Sequence, residues 1–192
     1  MLSAYKEKFE GVLVPIARQL SNLGFSPNSL TILGFIASVV TALSLSMSLL
    51  GPALIFLIAA SILDVLDGAV ARVSKSVSKL GAFLDSLLDR YADALILLGL
   101  MVYLNDHFVL LTVVLIGTIL VSYTRAKVEL LGAKGDVGLA ERAERLLILI
   151  TATLLEWRGF KAYYPALLIL ALVTHVTVFQ RAYYLYSFLG KK

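Results

Sequence analysis

Cysteine is absent from the 192 residues. That excludes a disulfide framework, thiolate chemistry and any cysteine-ligated metal site. Charge is scarce as well: 16% of residues are Asp, Glu, Lys or Arg, against about 25% in a soluble domain. Apolar residues instead reach 59%. An ordinary globular enzyme, a disordered chain and a nucleic-acid-binding arm are all excluded by this balance. The N-terminus has no long uncharged stretch followed by a small-residue cleavage site, so no signal peptide is expected. Internal repeats and low-complexity tracts are lacking too. What remains is an all-α integral membrane protein. At about 20 residues per span, the length allows six or seven spans and leaves no room for a separate soluble domain.

Residues 1–29 carry Lys6, Glu7, Lys8, Glu10 and Arg18 between Phe9, Val12, Leu13, Ile16, Ala17 and Leu20. This spacing predicts an amphipathic helix lying in the membrane interface, ended by Gly24 and Pro27. Residues 30–192 read as six transmembrane helices. The first runs from Leu30 to about Leu50 and turns at Gly51-Pro52. The second starts near Ala53 and runs into Asp64, Asp67 and Arg72. The third covers about Leu80–Leu104, and the loop Asn105-Asp106-His107 follows it. The fourth runs from about Phe108 through Arg125 to Glu129, ahead of a glycine-rich loop at 132–138. The fifth starts near Leu139, passes Glu141, Arg142, Glu144 and Arg145, and ends at Leu155. The sixth covers about Tyr163–Leu189.

Basic residues fall almost entirely on one side: within 1–29, 72–79, 125–145 and 181–192, with only Arg158 and Lys161 opposite. The positive-inside rule then places both termini in the cytoplasm, in a multi-pass cell-membrane protein. The polar ends of the second to fifth spans share that side, which points to one site there. Trp157, Tyr163 and Tyr164 are expected in an aromatic belt at the outer interface. Gly99 and Gly117 would permit close helix packing. His107 and His175 show no partner pattern.

The richest stretch is Asp64-x-x-Asp67-Gly68-x-x-Ala71-Arg72, then eight residues, then Gly81-x-x-x-Asp85-x-x-x-Asp89. Residues three or four apart share a helix face. Asp64 and Asp67 therefore project together from one helix, Asp85 and Asp89 from its antiparallel neighbour. Four half-buried carboxylates repel one another and lose hydration. Two hard divalent cations, Mg²⁺, Mn²⁺ or Ca²⁺ rather than Zn²⁺, resolve this, and a two-metal site suits phosphoryl chemistry. Gly68 lets a ligand approach closely, and Arg72 offers a planar fork for phosphate. Asp93 continues the acidic face, or else pairs with Arg90.

A second cluster is basic. Arg125 ends the fourth span, Arg142 and Arg145 share a face of the fifth, and Arg181 lies in the sixth. Each suits a positive-inside anchor, and Glu141 and Glu144 suit screening partners. Converging beside a metal site, the four arginines suit an acceptor that itself carries phosphate.

The aspartate pattern resembles the signature of the CDP-alcohol phosphotransferase family, and the likeness extends over essentially the whole chain, including Pro27-Asn28-x-x-Thr31. The resemblance implies six membrane helices, a homodimer and a two-metal site open to the cytoplasm. It implies transfer of a phosphatidyl-type group from a CDP-linked lipid to an alcohol, with release of CMP. By position, Asp64, Asp67, Asp85 and Asp89 would hold metal, and Asp89 would be the general base. Asp67, Gly68, Ala71 and Arg72 would lie against the CDP-lipid. Asn28 and Thr31 would bind the nucleotide, or else cap the helix after Pro27. The stretches Ser122-Tyr123-x-Arg125-Ala126-Lys127-x-Glu129, Gly135-Asp136-x-Gly138, Glu141-Arg142-x-Glu144-Arg145 and Gln180-Arg181 are similar to the phosphatidylinositol-phosphate synthase (or archaetidylinositol-phosphate synthase) branch. That likeness implies inositol phosphate as acceptor, held by Arg125, Arg142, Arg145 and Arg181. The alternatives are glycerol 3-phosphate as acceptor and, from another class, a cation channel or transporter. Membrane lipids are the remaining expected partners, and nucleic acid is not one.

Overall fold

Uncharged apolar runs broken by glycine, proline or polar clusters set where helices form. The computed structural model describes residues 13–135 and 137–190 and is helical, with no strand among the described residues. The helices are α1 (13–22), α2 (Pro27–Ser46), α3 (Leu50–Val73), α4 (Lys79–Leu104), α5 (Phe108–Leu130), α6 (Arg142–Trp157) and α7 (Tyr163–Leu189). The first part of the expected interfacial helix, 1–12, lies outside the described residues. In α1, Ala17 is fully buried and Leu13 and Leu20 pack with it against Leu30, Leu66 and Val70. Ile16 and Leu23 point outward.

Four helices, α2, α3, α5 and α7, are long and apolar enough to cross a membrane. The protein is therefore a multi-pass membrane protein. The expectation of six spans is met only in part. Helix α4 has 26 residues but carries Lys79, Asp85, Asp89, Arg90 and Asp93, and α6 has only 16 residues. Large apolar side chains cover the outside of the bundle, among them Ile36, Ile55, Val109 and Leu172. A surface of that kind belongs in lipid. Thr41, Ser61, Thr153 and Thr177 each donate a hydroxyl proton to a carbonyl one turn back, so their polar groups are satisfied inside their own helices.

Helix α2 packs on α3 and α4, α5 on α7, and α6 on α3 and α7. One core, built from Leu57, Ile96, Leu100, Leu111, Leu167 and Leu170, holds the bundle together. Gly99 and Gly117 serve contacts within the chain. A Cβ on Gly99 would lie 2.9 Å from Ala42 Cα, and one on Gly117 would meet Thr174 and His175. His175 Nδ1 lies 3.0 Å from the Ala171 carbonyl.

Two boundaries and one side-chain placement differ from expectation. The first turn lies at Met47–Leu49, and Gly51 and Pro52 sit in the first turn of α3. Proline is at ease there, because an N-terminal N–H has no helical partner to lose. Helix α6 begins at Arg142 rather than near Leu139. The amides of Leu139 and Ala140 both donate to Thr177 Oγ1, at 3.1 and 3.0 Å. That contact pins the segment to α7 as a non-helical strap. Gly138, at φ +131°, makes the bend, and a Cβ there would run into Thr177. Finally, Tyr163 is not in an aromatic belt: it is buried, and its hydroxyl donates to Thr153 Oγ1 at 3.0 Å. Trp157 and Tyr164 are exposed. His107 lies 3.5 Å from Asp106.

Candidate active site

The loop 74–78 between α3 and α4 brings the last turns of α3 against the first turns of α4. Ser78 fixes the start of α4, its Oγ accepting from the Gly81 amide at 2.9 Å. Asp64, on α3, and Asp85 and Asp89, on α4, then offer carboxylate oxygens that all lie within 4.8 Å of one another. Three half-buried carboxylates at that spacing are a fitting donor set for a hard divalent cation.

Asp67 stands apart from this trio. It is 7% exposed, and its Oδ2 accepts a 2.7 Å hydrogen bond from the Thr31 hydroxyl on α2. The cap of α2 belongs to Ser26, whose Oγ accepts from the Ser29 amide. Thr31 is thereby released from the capping alternative, since its short bond reaches across to α3.

Two cavities flank the carboxylates. One, of about 320 Å³, is lined by Asn28, Thr31, Asp67, Gly68, Ala71, Arg72 and Asp85, among others. All six positions expected against the CDP-lipid therefore face one space. A Cβ on Gly68 would lie 3.3 Å from Arg72 Nη1, so the glycine leaves room for that guanidinium. A Cβ on Gly81 would lie 2.9 Å from Asn28 Oδ1, which keeps α4 close to α2 at the mouth of this cavity.

The other cavity, of about 340 Å³, is lined by Asp85, Asp89, Asp93, Arg125, Arg142, Arg145 and Arg181 with Arg90, Glu129 and Glu141. Each of the four expected arginines is there, and Asp85 borders both spaces. The arginines are not equivalent. Arg181, 1% exposed, donates from Nε to the Val137 carbonyl at 2.7 Å and from Nη1 to the Val121 carbonyl at 2.5 Å. It ties α7 to α5 and the glycine-rich loop. Arg125 pairs with Glu129 at 3.0 Å and lies 3.7 Å from Glu141. Arg145 donates to the Ala140 carbonyl at 2.9 Å and to Asp93 Oδ2 at 2.7 Å. Arg142 reaches furthest, into the carboxylates themselves. Its Nη1 donates to Asp64 Oδ1 and lies 2.7 Å from Asp89 Oδ1, and its Nε donates to Asp93 Oδ1 at 3.3 Å.

Asp93 therefore pairs with Arg142 and Arg145, and the alternative pairing with Arg90 is not made. Arg90 Nη1 turns back to the Ser86 carbonyl. Glu141 stands between Arg125 and Arg181, 3.7 and 4.0 Å away, rather than screening its neighbours in sequence. Arg90 and Glu129 also line this cavity, a place that the sequence reading had not given them. The signal for Glu129 was its place four residues after Arg125 on one helix face; Arg90 had none.

Residues 25–179 match the family of CDP-alcohol phosphatidyltransferases. The chain is 37% identical to an archaetidylinositol phosphate synthase of Pyrococcus horikoshii, over 95% of each chain. It is 35% identical to a phosphatidylinositol phosphate synthase of Mycobacteroides abscessus, over 92% of this chain and 84% of the other. Among solved structures, the phosphatidylinositol phosphate synthase of Mycobacterium tuberculosis with CDP-DAG bound superposes with a TM-score of 0.78. The identity is 32%, and 91% of this chain and 94% of that chain are covered. A second crystal structure of that enzyme, in complex with manganese and citrate, superposes equally well, covering 88% of that chain at 32% identity.

Proposed function

The chain belongs to the CDP-alcohol phosphatidyltransferase family, and on that footing we propose that it transfers a phosphatidyl-type group from a CDP-lipid to inositol phosphate, releasing CMP. The carrying observation is the meeting of the two cavities at Asp85. The signature residues line one and the arginines line the other. The relatives named above, with CDP-DAG bound in one of them, supply the substrate classes. CDP-diacylglycerol and CDP-archaeol both fit the cavity chemistry.

Mg²⁺ or Mn²⁺ would be held by Asp64, Asp85 and Asp89, with Asp67 as the fourth carboxylate of the two-metal set. When bound, divalent ions neutralise the pyrophosphate and the departing CMP. The remaining work belongs to side chains. Asn28, Thr31, Gly68, Ala71 and Arg72 seat the nucleotide. Arg125, Arg142, Arg145 and Arg181 hold the acceptor's phosphate. Asp89, in the acceptor cavity beside Asp85, takes the proton of the acceptor hydroxyl as the hydroxyl oxygen attacks the lipid-side phosphorus. The bond from that phosphorus to the CMP oxygen breaks, and CMP leaves with the electron pair. The acceptor cavity holds five guanidiniums and five carboxylates. Cations on Asp85 and Asp89 would leave it net positive, as a phosphorylated acceptor requires.

The reading includes six spans. Helix α4, at 1.5 Å per residue, is about 39 Å long, and its distal half presents Leu98 and Val102 outward. Helix α6 is about 24 Å long and also turns apolar side chains out, Leu147 and Leu154 among them. Both termini and the site face the cytoplasm, and the assembly is a homodimer. In the test, purified protein is supplied with CDP-diacylglycerol or CDP-archaeol and inositol phosphate, and CMP is measured. Release is expected to stop with a chelator and to return with Mg²⁺ or Mn²⁺. Chelator-resistant turnover would contradict the two-metal site.

A further inference from the structure

Arg142 plays two parts that it cannot play at once. Its Nη1 lies between Asp64 Oδ1 and Asp89 Oδ1, on two of the three carboxylates spaced to hold a cation. It also lines the acceptor cavity beside Arg145. A guanidinium and a divalent ion on the same pair of carboxylates compete for oxygen lone pairs and repel each other. Nε, by contrast, is bonded to Asp93 Oδ1 at 3.3 Å, and Asp93 is not one of the three carboxylates spaced for a cation. Asp93 itself is held from its other oxygen by Arg145, which the Ala140 carbonyl anchors in turn.

We propose that Arg142 is an exchangeable counter-ion that couples the metal site to the acceptor cavity. When Asp64 and Asp89 coordinate a divalent ion, Nη1 leaves them and turns on the Asp93 hinge into the acceptor cavity, where it binds phosphate. Asp93 is then a positioning residue: it lies outside the three carboxylates spaced for a cation and keeps Arg142 within reach of both sites. The proposal rests on the transferase reading for the identity of the acceptor. The exchange itself does not depend on that reading.

Two binding measurements on the full-length protein, made without CDP-lipid, test it. The first is Mn²⁺ affinity by electron paramagnetic resonance. Arg142→Gln removes the competitor and is expected to tighten Mn²⁺ by about tenfold, the equivalent of one charge-assisted hydrogen bond. Unchanged or weaker Mn²⁺ binding in a folded variant would overturn the exchange. The second is calorimetric binding of inositol phosphate to the wild-type protein with and without Mn²⁺. Each ligand is expected to strengthen the other by the same factor, and the coupling is expected to shrink in Arg142→Gln. Coupling that persists in full in that variant would mean direct metal–phosphate contact and would sink the proposal. If Arg142→Gln does not fold, Asp93→Asn takes its place: it is expected to weaken inositol phosphate by about tenfold, with Asp93→Glu recovering part of the loss. Equal binding in Asp93→Asn and wild type would remove the hinge. If inositol phosphate fails to bind wild type at all, the acceptor assignment fails, while the Mn²⁺ comparison still decides the exchange.

Discussion

Asp89 sits where the metal trio and the acceptor cavity overlap, and its carboxylate lies 2.7 Å from Arg142 Nη1. Replacing it by Asn keeps the shape and removes the basic oxygen. Asp89→Asn is expected to lower CMP release by about 10²- to 10⁴-fold, the usual contribution of a general base. Mn²⁺ binding should largely persist through Asp64 and Asp85, and wild-type turnover in that variant would remove Asp89 from its role. Asp64, Asp85 and Asp89 come together as their spacing suggested, since residues four apart share a helix face and the short loop folds α4 back on α3, whereas Asp67, three residues from Asp64, turns to Thr31 instead. Asp93 was legible only as an acid on that face. Its partners, Arg142 and Arg145, are 49 and 52 residues away. No local spacing encodes a contact between two helices separated by a third, and Arg90, three residues off, offered a nearer cation that the fold does not use.

At the scale of the element, the apolar runs placed α3, α4, α5 and α7 to within a few residues, since uncharged stretches and their breakers are both local signals. The misplaced boundaries have tertiary causes. Leu139 and Ala140 read as helix, yet their amides are held by Thr177 of α7. Gly51-Pro52 reads as a turn, yet proline also suits a helix's first turn. Gly99 shows the same dependence on a distant partner, because the backbone of Ala42 lies where its side chain would be. Gly99→Ala is expected to force α2 and α4 apart and to destabilise the fold by about 1–3 kcal/mol, the usual cost of overpacking. A lower thermal midpoint in detergent would show it, and an unchanged midpoint would mean that the helices yield without cost.

At the scale of the whole molecule, scarcity of charge becomes concentration of charge. The carboxylates and arginines that a soluble protein would spread over its surface gather at one end of a lipid-facing bundle. The same helix ends and loops also carry Lys75, Lys79, Lys127 and Lys134. The absence of cysteine makes the orientation directly measurable with single substitutions. Asp106→Cys is expected to react with a membrane-impermeant maleimide on intact cells, and Lys75→Cys only after permeabilisation. The reverse pattern would invert the protein and separate its site from cytoplasmic nucleotide.

The central claim is that a nucleotide-lipid cavity and an arginine-lined acceptor cavity meet at one cluster of aspartates. Its most direct test is CMP release by the purified protein with CDP-lipid and Mg²⁺, comparing inositol phosphate, glycerol 3-phosphate, free inositol and no acceptor. Stimulation by inositol phosphate well above the other three is expected. Activity with glycerol 3-phosphate and none with inositol phosphate would contradict the account.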